Sequence, residues 1–167
     1  MNPLLSLGLL LAVFGSSLAC PLACSSEWAL FSPTKACYKV FFEMNWEDAE
    51  NFCLTQGGHL ASIHTDAENE FVANLASTNR NFQYHDQTWI GGYSKTNSNM
   101  DWAWTDGTPF DYHKWQKNQP DYVYENCIQI YSDNSNDGDL IYKTEWNNER
   151  CRQVLRAFVC KVKAVGI

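Results

Sequence analysis

Apolar residues recur at helical spacing in two parts of the chain. The first part covers residues 46–53, with Asn45 before it as a candidate N-cap and a Gly-Gly stop signal at residues 57–58. The second follows a capping-box pattern at residues 65–68 and is predicted to end near residue 78. The pattern therefore predicts two helices in the first half of the chain.

Shorter runs that alternate between apolar and polar residues, or are wholly apolar, predict strands. Residues 80–87 are polar and predict a loop. Residues 132–139 are rich in Asn and Asp and partly match an EF-hand calcium loop, but the final acidic ligand would fall on Thr144. A solvated hairpin loop is therefore the preferred interpretation. The predicted strands cover residues 36–42, 59–63, 89–93, 101–104, 127–131, 140–146 and 157–160.

The first 19 residues have the features of a secretory signal peptide. Residues 4–14 are apolar but too few to span a bilayer, and residues 17–19 include the small side chains that a signal peptidase prefers. No second long apolar stretch follows. The sequence therefore predicts a secreted protein without a membrane anchor, in which residues 20–167 form a single domain.

Composition narrows the range of partners. Of the 167 residues, 45% are hydrophobic, which is enough for a real core. The formal net charge is -7, whereas nucleic acids and anionic membranes attract basic surfaces. We therefore expect neither nucleic acid nor a membrane surface as a partner.

Cysteines are numerous enough to predict disulfide bonds. In an oxidising compartment most of them should pair. Any six cysteines allow fifteen pairings, so the spacing alone does not select one set. A seventh could be free, capped, or form a bridge between two chains. The seven are Cys20, Cys24, Cys37, Cys53, Cys127, Cys151 and Cys160.

Two segments that each close with a cysteine are rich in oxygen-bearing side chains. Calcium takes six to eight such oxygens as ligands. A proline stands between the first two candidate ligands, and its peptide bond tolerates the cis form. The candidate ligands are Gln119, Asp121, Glu125, Asn147 and Asn148.

These motifs, in this order, resemble the carbohydrate-recognition domain of C-type lectins. The resemblance starts from Gln-Pro-Asp at residues 119–121, a Glu two residues before Cys127, and Trp-Asn-x-x-x-Cys at residues 146–151. Trp-Ile-Gly at residues 89–91 and His-Leu-Ala-Ser-Ile at residues 59–63 extend it over nearly the whole chain. It implies an α+β fold with two helices, two small antiparallel sheets and a long loop region.

The same resemblance selects among the possible cysteine pairings. It implies disulfides Cys24–Cys37, Cys53–Cys160 and Cys127–Cys151. Cys20 is then left over and could join two chains into a disulfide-linked dimer.

The resemblance also assigns roles to the oxygen-bearing residues. In sugar-binding members, calcium is held by the residues that flank the proline, by the Glu before the Cys, and by an Asn-Asp pair after the Trp. Two neighbouring sugar hydroxyls complete its coordination. Gln119, Asp121, Glu125 and Asn147 match this set, whereas Asn148 stands where the family has Asp. The change removes one negative charge, and calcium affinity falls with the charge of the ligands.

The order Gln-Pro-Asp is associated in the family with galactose and N-acetylgalactosamine. Such members also place an aromatic side chain just beyond the motif, and Tyr122 or Tyr124 could serve. The expected sugar-binding residues are Gln119, Asp121, Glu125, Asn147, Tyr122 and Tyr124. The resemblance thus implies a calcium-dependent lectin whose partners are glycans or glycoproteins with terminal galactose-type sugars.

Two other functions fit parts of the sequence. A lectin-like domain that binds a protein or another non-sugar ligand, with weak or no calcium dependence, is favoured by Asn148. A glycosidase could use Asp121 and Glu125 as its carboxylate pair. The role of calcium ligand explains both carboxylates better, so we do not expect an enzyme.

Overall fold

The computed structural model describes residues 21–83, 86–96, 98, 100–135 and 143–166. The predicted signal peptide and Cys20 lie outside the described residues, as do residues 136–142 of the predicted loop and strand. Within the described ranges, no helix is long and apolar enough to cross a bilayer.

The described strands form one large sheet and two small pairs. The strands are β1 Leu22–Ala23, β2 Ala29–Phe31, β3 Ala36–Met44, β4 His59–Leu60, β5 Asn81–Phe82, β6 Thr88–Ser94, β7 Trp102–Trp104, β8 Cys127–Ile130, β9 Asn134–Ser135, β10 Trp146–Glu149, β11 Leu155–Lys163 and β12 Val165–Gly166. In the large sheet the order is β10-β8-β6-β11-β3-β2, with β4 added to β11 and β7 to β6. Most neighbours are antiparallel, but β6 and β11 run parallel, and so do β5 and β9.

Both predicted helices are present, and local capping explains where they begin. α1 spans Trp46–Thr55, and the Asn45 side chain accepts a hydrogen bond from the backbone N–H of Asp48 at 3.0 Å. α1 ends before Gly57, which has φ +85° in the left-handed region that glycine tolerates. α2 spans Asp66–Ala76, and Thr65 caps it by accepting from the N–H of Glu68. With the sheet, these helices confirm the α+β fold.

Two clusters of buried residues pack the helices on the sheet. Ala49 of α1 packs with Trp89 and Phe158. Val72 of α2 packs in a second cluster that includes the buried Trp146. Burial of large apolar side chains supplies most of the favourable free energy of folding. The second cluster therefore provides a rigid base at the first residue of β10.

Three disulfides fasten these elements. They join Cys24 to Cys37, Cys53 to Cys160 and Cys127 to Cys151, which are the pairs that the resemblance implies. The second ties α1 to β11 across 107 positions of sequence. The third joins the start of β8 to the residues just after β10.

Several predicted boundaries were wrong because tertiary contacts override local pattern. The strand predicted at residues 59–63 is confined to β4. Beyond it, Ala61 lies between two strands, with its N–H donating to Val159 and its carbonyl accepting from Gly91. The polar run at residues 80–87 contains β5, and the described end of the predicted strand 140–146 becomes a strand only at Trp146.

The end of α2 is set by a distant carboxylate. Asp133 is buried and accepts hydrogen bonds from the backbone N–H groups of Thr78 and Asn79, each at 2.8 Å. It also pairs with Arg156 at 2.6 Å. This explains why α2 ends at Ala76 rather than near residue 78. Asp133 is thus engaged inside the fold and does not belong to a solvated loop.

Candidate functional site

The site is built where the long connection between β7 and β8 meets β10. Trp146 fixes this meeting point because its backbone N–H donates to Lys114 and its carbonyl accepts from Gln116. Its indole N–H also donates to Asn69 of α2 at 2.7 Å. The Gln-Pro-Asp segment follows immediately, so the core determines where that segment starts.

The Gln-Pro-Asp segment and the residues after it form a compact loop. The Gln119–Pro120 peptide is cis. A turn follows in which the N–H of Glu125 donates to the carbonyl of Tyr122 at 3.0 Å. The N–H of Asp121 lies 3.2 Å from the side-chain oxygen of Gln119 and 3.2 Å from that of Asn148. The loop is thus held partly by its own polar side chains and partly by β10.

A pocket of about 520 Å³ opens between this loop and β10. It gathers four of the five predicted calcium ligands and one of the two predicted aromatic residues. Tyr124 and Asn148 do not line it. The lining residues are Gln119, Asp121, Tyr122, Glu125, Asn147, Glu149, Arg150 and Gln153.

Strand geometry explains which residues of β10 reach the pocket. Side chains of alternate residues in a strand point to the same face. Asn147 and Glu149 accordingly both line the pocket, whereas Asn148 between them does not. Glu149 was not among the predicted site residues, although a period of two along β10 would have placed it beside Asn147.

The pocket concentrates negative charge around Glu125. The Glu125 side chain is only 19% exposed. Burial and then the charges of Glu149 and Asp121 raise the pKa of Glu125 to about 7. Arg150 opposes this shift, with its Nε 3.9 Å from Glu125 Oε1. A carboxyl group whose pKa is raised by the negative charges beside it is suited to a divalent cation, which would offset that repulsion.

The amide oxygens of the pocket also fit a hard cation. Asn147 Oδ1 is buried and has no hydrogen-bond partner among the described residues. A buried acceptor without a partner is costly, and a cation would remove that cost. The described part of the chain has no group of three or more His, Cys, Asp or Glu residues that could hold a metal by themselves. A cation here would therefore need the oxygens of Gln119 and Asn147 as well as the carboxylates, which is typical of calcium and not of zinc.

Asn148, unlike the four predicted ligands that line the pocket, hydrogen-bonds to the backbone of the loop. Its amide donates to the carbonyls of Tyr122 at 2.9 Å and Glu125 at 3.0 Å, while its oxygen accepts from the N–H of Asp121. The side chain is fully buried. It therefore holds three points of the loop backbone, and its role as a calcium ligand stays a prediction.

These contacts predict the effect of Asn148→Asp. A carboxylate cannot donate, so the carbonyls of Tyr122 and Glu125 would each lose a hydrogen bond. We expect the free energy of unfolding without calcium to fall by about 2 kcal/mol. Denaturant unfolding in chelator measures this, and unchanged stability would contradict it.

The sequence alone predicts that the same variant gains affinity for calcium. The change restores a charged oxygen at the position where the family has Asp, so calcium should bind more tightly. Calorimetry on the variant measures that effect separately. An unchanged calcium affinity would show that residue 148 is not a ligand.

The sequence matches a family model and several known proteins. The family model described as "Lectin C-type domain" matches residues 42–162. A "C-type lectin galactose-binding isoform" from Hoplocephalus stephensii is 34% identical over 169 residues, covering 96% of each chain. A snaclec from Echis carinatus, described as part of a coagulation factor IX/factor X-binding protein, is 35% identical over 144 residues, covering 84% of this chain and 98% of its own.

A solved structure extends the likeness to the fold. It is described as a calcium-independent type II antifreeze protein and superposes with a TM-score of 0.71. It is 28% identical and covers 87% of this chain and 98% of its own. The matches of sequence and fold lead to one conclusion: the chain belongs to the C-type lectin family, a family of binding proteins.

Proposed function

We propose that this protein is a calcium-dependent lectin that binds galactose-type sugars. The observation that carries the proposal is the pocket in which Gln119, Asp121, Glu125 and Asn147 meet, although they come from two separate segments. The unpartnered oxygen of Asn147 and the mutually repelling carboxylates support a cation there. The similarity to a galactose-binding lectin supports the sugar class.

Each residue has a distinct part in this proposal. Asp121 and Glu125 would supply charged oxygens to calcium, and Gln119 and Asn147 would supply neutral ones. When bound, calcium would coordinate two neighbouring hydroxyls of the sugar. The carboxylates can also accept hydrogen bonds from those hydroxyls, and the amides can donate to them. Tyr122, which is 45% exposed beside the pocket, would pack against the apolar face of the sugar.

Retention on immobilised galactose tests the proposal. The protein should bind a galactose matrix in calcium, elute with a chelator, and be displaced by free galactose at lower concentrations than by free mannose. Removal of calcium should release it because the two hydroxyls would lose their coordination to the ion, and the remaining hydrogen bonds only replace bonds that the sugar makes with water. Binding that persists in excess chelator would refute calcium dependence.

Exchanging the residues that flank Pro120 should alter the sugar preference. The double change Gln119→Glu with Asp121→Asn keeps the net charge and the number of ligands, but reverses which side of the proline can donate. We expect the preference to move toward mannose with calcium affinity little changed. Tyr122 would limit the switch if it packs against galactose. Inhibition by free galactose and mannose at saturating calcium measures the preference, and mannose preference in the parent protein would contradict the assignment.

A second function is favoured by Asn148. Its amide replaces the carboxylate that the family has there, and its hydrogen bonds hold the loop without a metal. Tyr122, Val123 and Tyr124 are also exposed side by side. A protein or other non-sugar ligand could dock on this surface, in line with the described ligand of the snaclec relative and the calcium independence of the antifreeze relative. Failure to bind galactose with calcium present would favour this alternative.

We also propose that the protein is exported after removal of residues 1–19. Three disulfides support this proposal because such bonds persist in oxidising compartments. Cys20 would then stand at the start of the mature chain and could join two copies. Non-reducing gels with thiols blocked during lysis distinguish a disulfide-linked dimer from a monomer.

A further inference from the structure

A second cleft adjoins the proposed sugar pocket. It has a volume of about 520 Å³ and shares Tyr122 and Arg150 with the first pocket, so the two form neighbouring halves of one surface. The remaining lining residues are Tyr124, Asn126, Cys151 and Arg152. Nothing in the sugar-binding motif requires this cleft or its two arginines.

Two arginines line the cleft in an otherwise acidic protein, and the Nε of one of them, Arg150, lies 3.9 Å from Glu125 Oε1. Arg150 and Arg152 both line it, whereas the chain as a whole carries a formal net charge of -7. The Arg152 side chain is exposed, and no hydrogen bond or ion pair engages it in the described part of the chain. Arginine binds carboxylate and sulfate groups well because its planar guanidinium can donate two parallel hydrogen bonds.

The arginines are held in place by the backbone around them. Cys151 between them is bonded to Cys127, and a turn follows in which the N–H of Gln153 donates to the carbonyl of Arg150 at 2.8 Å. The guanidinium of Arg150 lies 5.9 Å from the centre of the Tyr122 ring. The backbone below both arginines is therefore fixed and the Arg150 guanidinium lies beside Tyr122, whereas the unengaged Arg152 side chain can turn toward a ligand.

Aromatic rings form another side of the cleft. Tyr122 and Tyr124 pack edge to face with ring centres 5.3 Å apart, and they are 45% and 69% exposed. Exposed tyrosines combine an apolar ring with a polar hydroxyl, a combination suited to a sugar ring. Aromatic rings beside arginines thus match a sugar that carries an acidic group.

We propose that this cleft is a subsite for an acidic substituent, a sulfate ester or a carboxylate, on a glycan whose galactose occupies the neighbouring pocket. The proposal rests on the proposed function because the sugar brings the acidic group to the cleft. Delivery by the sugar matters, since the net negative charge of the protein disfavours free anions. A tethered group avoids this obstacle because its local concentration is high.

Calorimetry or competition at saturating calcium tests the subsite with galactose, 3-O-sulfogalactose, 6-O-sulfogalactose and sialylated galactose. The sulfated and sialylated sugars distinguish the two kinds of acid. At least one acidic sugar should bind about tenfold more tightly than galactose, because a charge-assisted hydrogen bond is worth roughly that factor. High salt should reduce the difference.

Two arginine variants distinguish binding of the acidic group in the cleft from a general effect of the protein's charge. Arg152→Gln should remove most of the tenfold gain while leaving the affinity for galactose unchanged, since Arg152 does not line the first pocket. Arg80→Gln is the matched control because it removes the same charge from a residue that lines neither pocket. The Arg80→Gln protein should keep the tenfold higher affinity for the acidic sugar.

The outcomes distinguish this proposal from the function on which it rests. Equal affinity for galactose and all the acidic sugars, or a gain that survives Arg152→Gln, would overturn the subsite alone. Loss of the gain in Arg80→Gln would also overturn it, since a long-range field would then be the cause. No binding of any of these sugars would overturn both proposals. A further outcome is that only the acidic sugars bind, that they bind in the presence of chelator, and that Arg152→Gln abolishes this binding. It would refute calcium-dependent galactose binding and support the cleft as a site for acidic groups.

Discussion

Replacement of Glu125 by Gln is expected to lower calcium affinity roughly 100-fold and to abolish retention on galactose, because a charged ligand becomes neutral while the shape of the side chain is kept. Glu125 is the least exposed of the loop carboxylates that line the pocket. The proposed function also gives it a second role as acceptor of a sugar hydroxyl. Calorimetry with calcium and a galactose column measure the two effects.

The variant should still fold, since in the calcium-free protein Glu125 experiences repulsion from Glu149 and Asp121 that Gln would remove. Glu47→Gln is a matched control because Glu47 is exposed on α1 and does not line the pocket. A Glu125→Gln protein that unfolds normally but retains calcium and galactose would contradict the assignment of this residue.

The largest loss of stability is expected from Glu68→Ala, which would lower the free energy of unfolding by about 3–5 kcal/mol. Glu68 is fully buried at the first turn of α2. Its carboxylate accepts from the Tyr38 hydroxyl at 2.6 Å, the Lys161 ammonium at 2.7 Å and the backbone N–H of His64 at 2.9 Å. Burial and the charge of Glu68 also raise the pKa of Tyr38.

The cost arises because three groups lose one shared partner. The Lys161 side chain is only 15% exposed, so its charge would stay largely buried without the carboxylate. Denaturant unfolding measures the loss, and Glu70→Ala, an exposed change on the same helix, should cause a much smaller one. A loss below about 1 kcal/mol in Glu68→Ala would mean that this buried pair contributes little to the fold.

The starts of the helices could be predicted from sequence because their capping is local. Asn45 and Thr65 each accept from an N–H three residues ahead, as the pattern indicates. The capping box at Thr65 is nevertheless incomplete. Its Glu68 carboxylate binds the N–H of His64 and the side chains of Tyr38 and Lys161, contacts that depend on β3 and β11. No local pattern contains that information.

In the candidate site, too, some residues could be predicted from a local motif and others depend on tertiary contacts. The motif identified Gln119, Asp121, Glu125 and Asn147, and the structure brings these residues to one pocket. It did not reveal that Asn148 binds the loop backbone, because those contacts depend on how the loop lies against β10. The alternation of side chains along a strand would have placed Glu149 beside Asn147. The second cleft was missed because it needs the loop tyrosines to lie beside the arginines after β10.

Titration of the purified protein with calcium, in the presence and absence of galactose, tests the central claim most directly. If calcium and galactose share the pocket formed by Gln119, Asp121, Glu125 and Asn147, each must increase the affinity for the other by the same factor. We predict that saturating galactose makes calcium bind more tightly in the parent protein and has no such effect in Glu125→Gln. Calcium binding that is the same with and without galactose, or no calcium binding at all, would contradict the claim that this protein recognises its sugar through calcium.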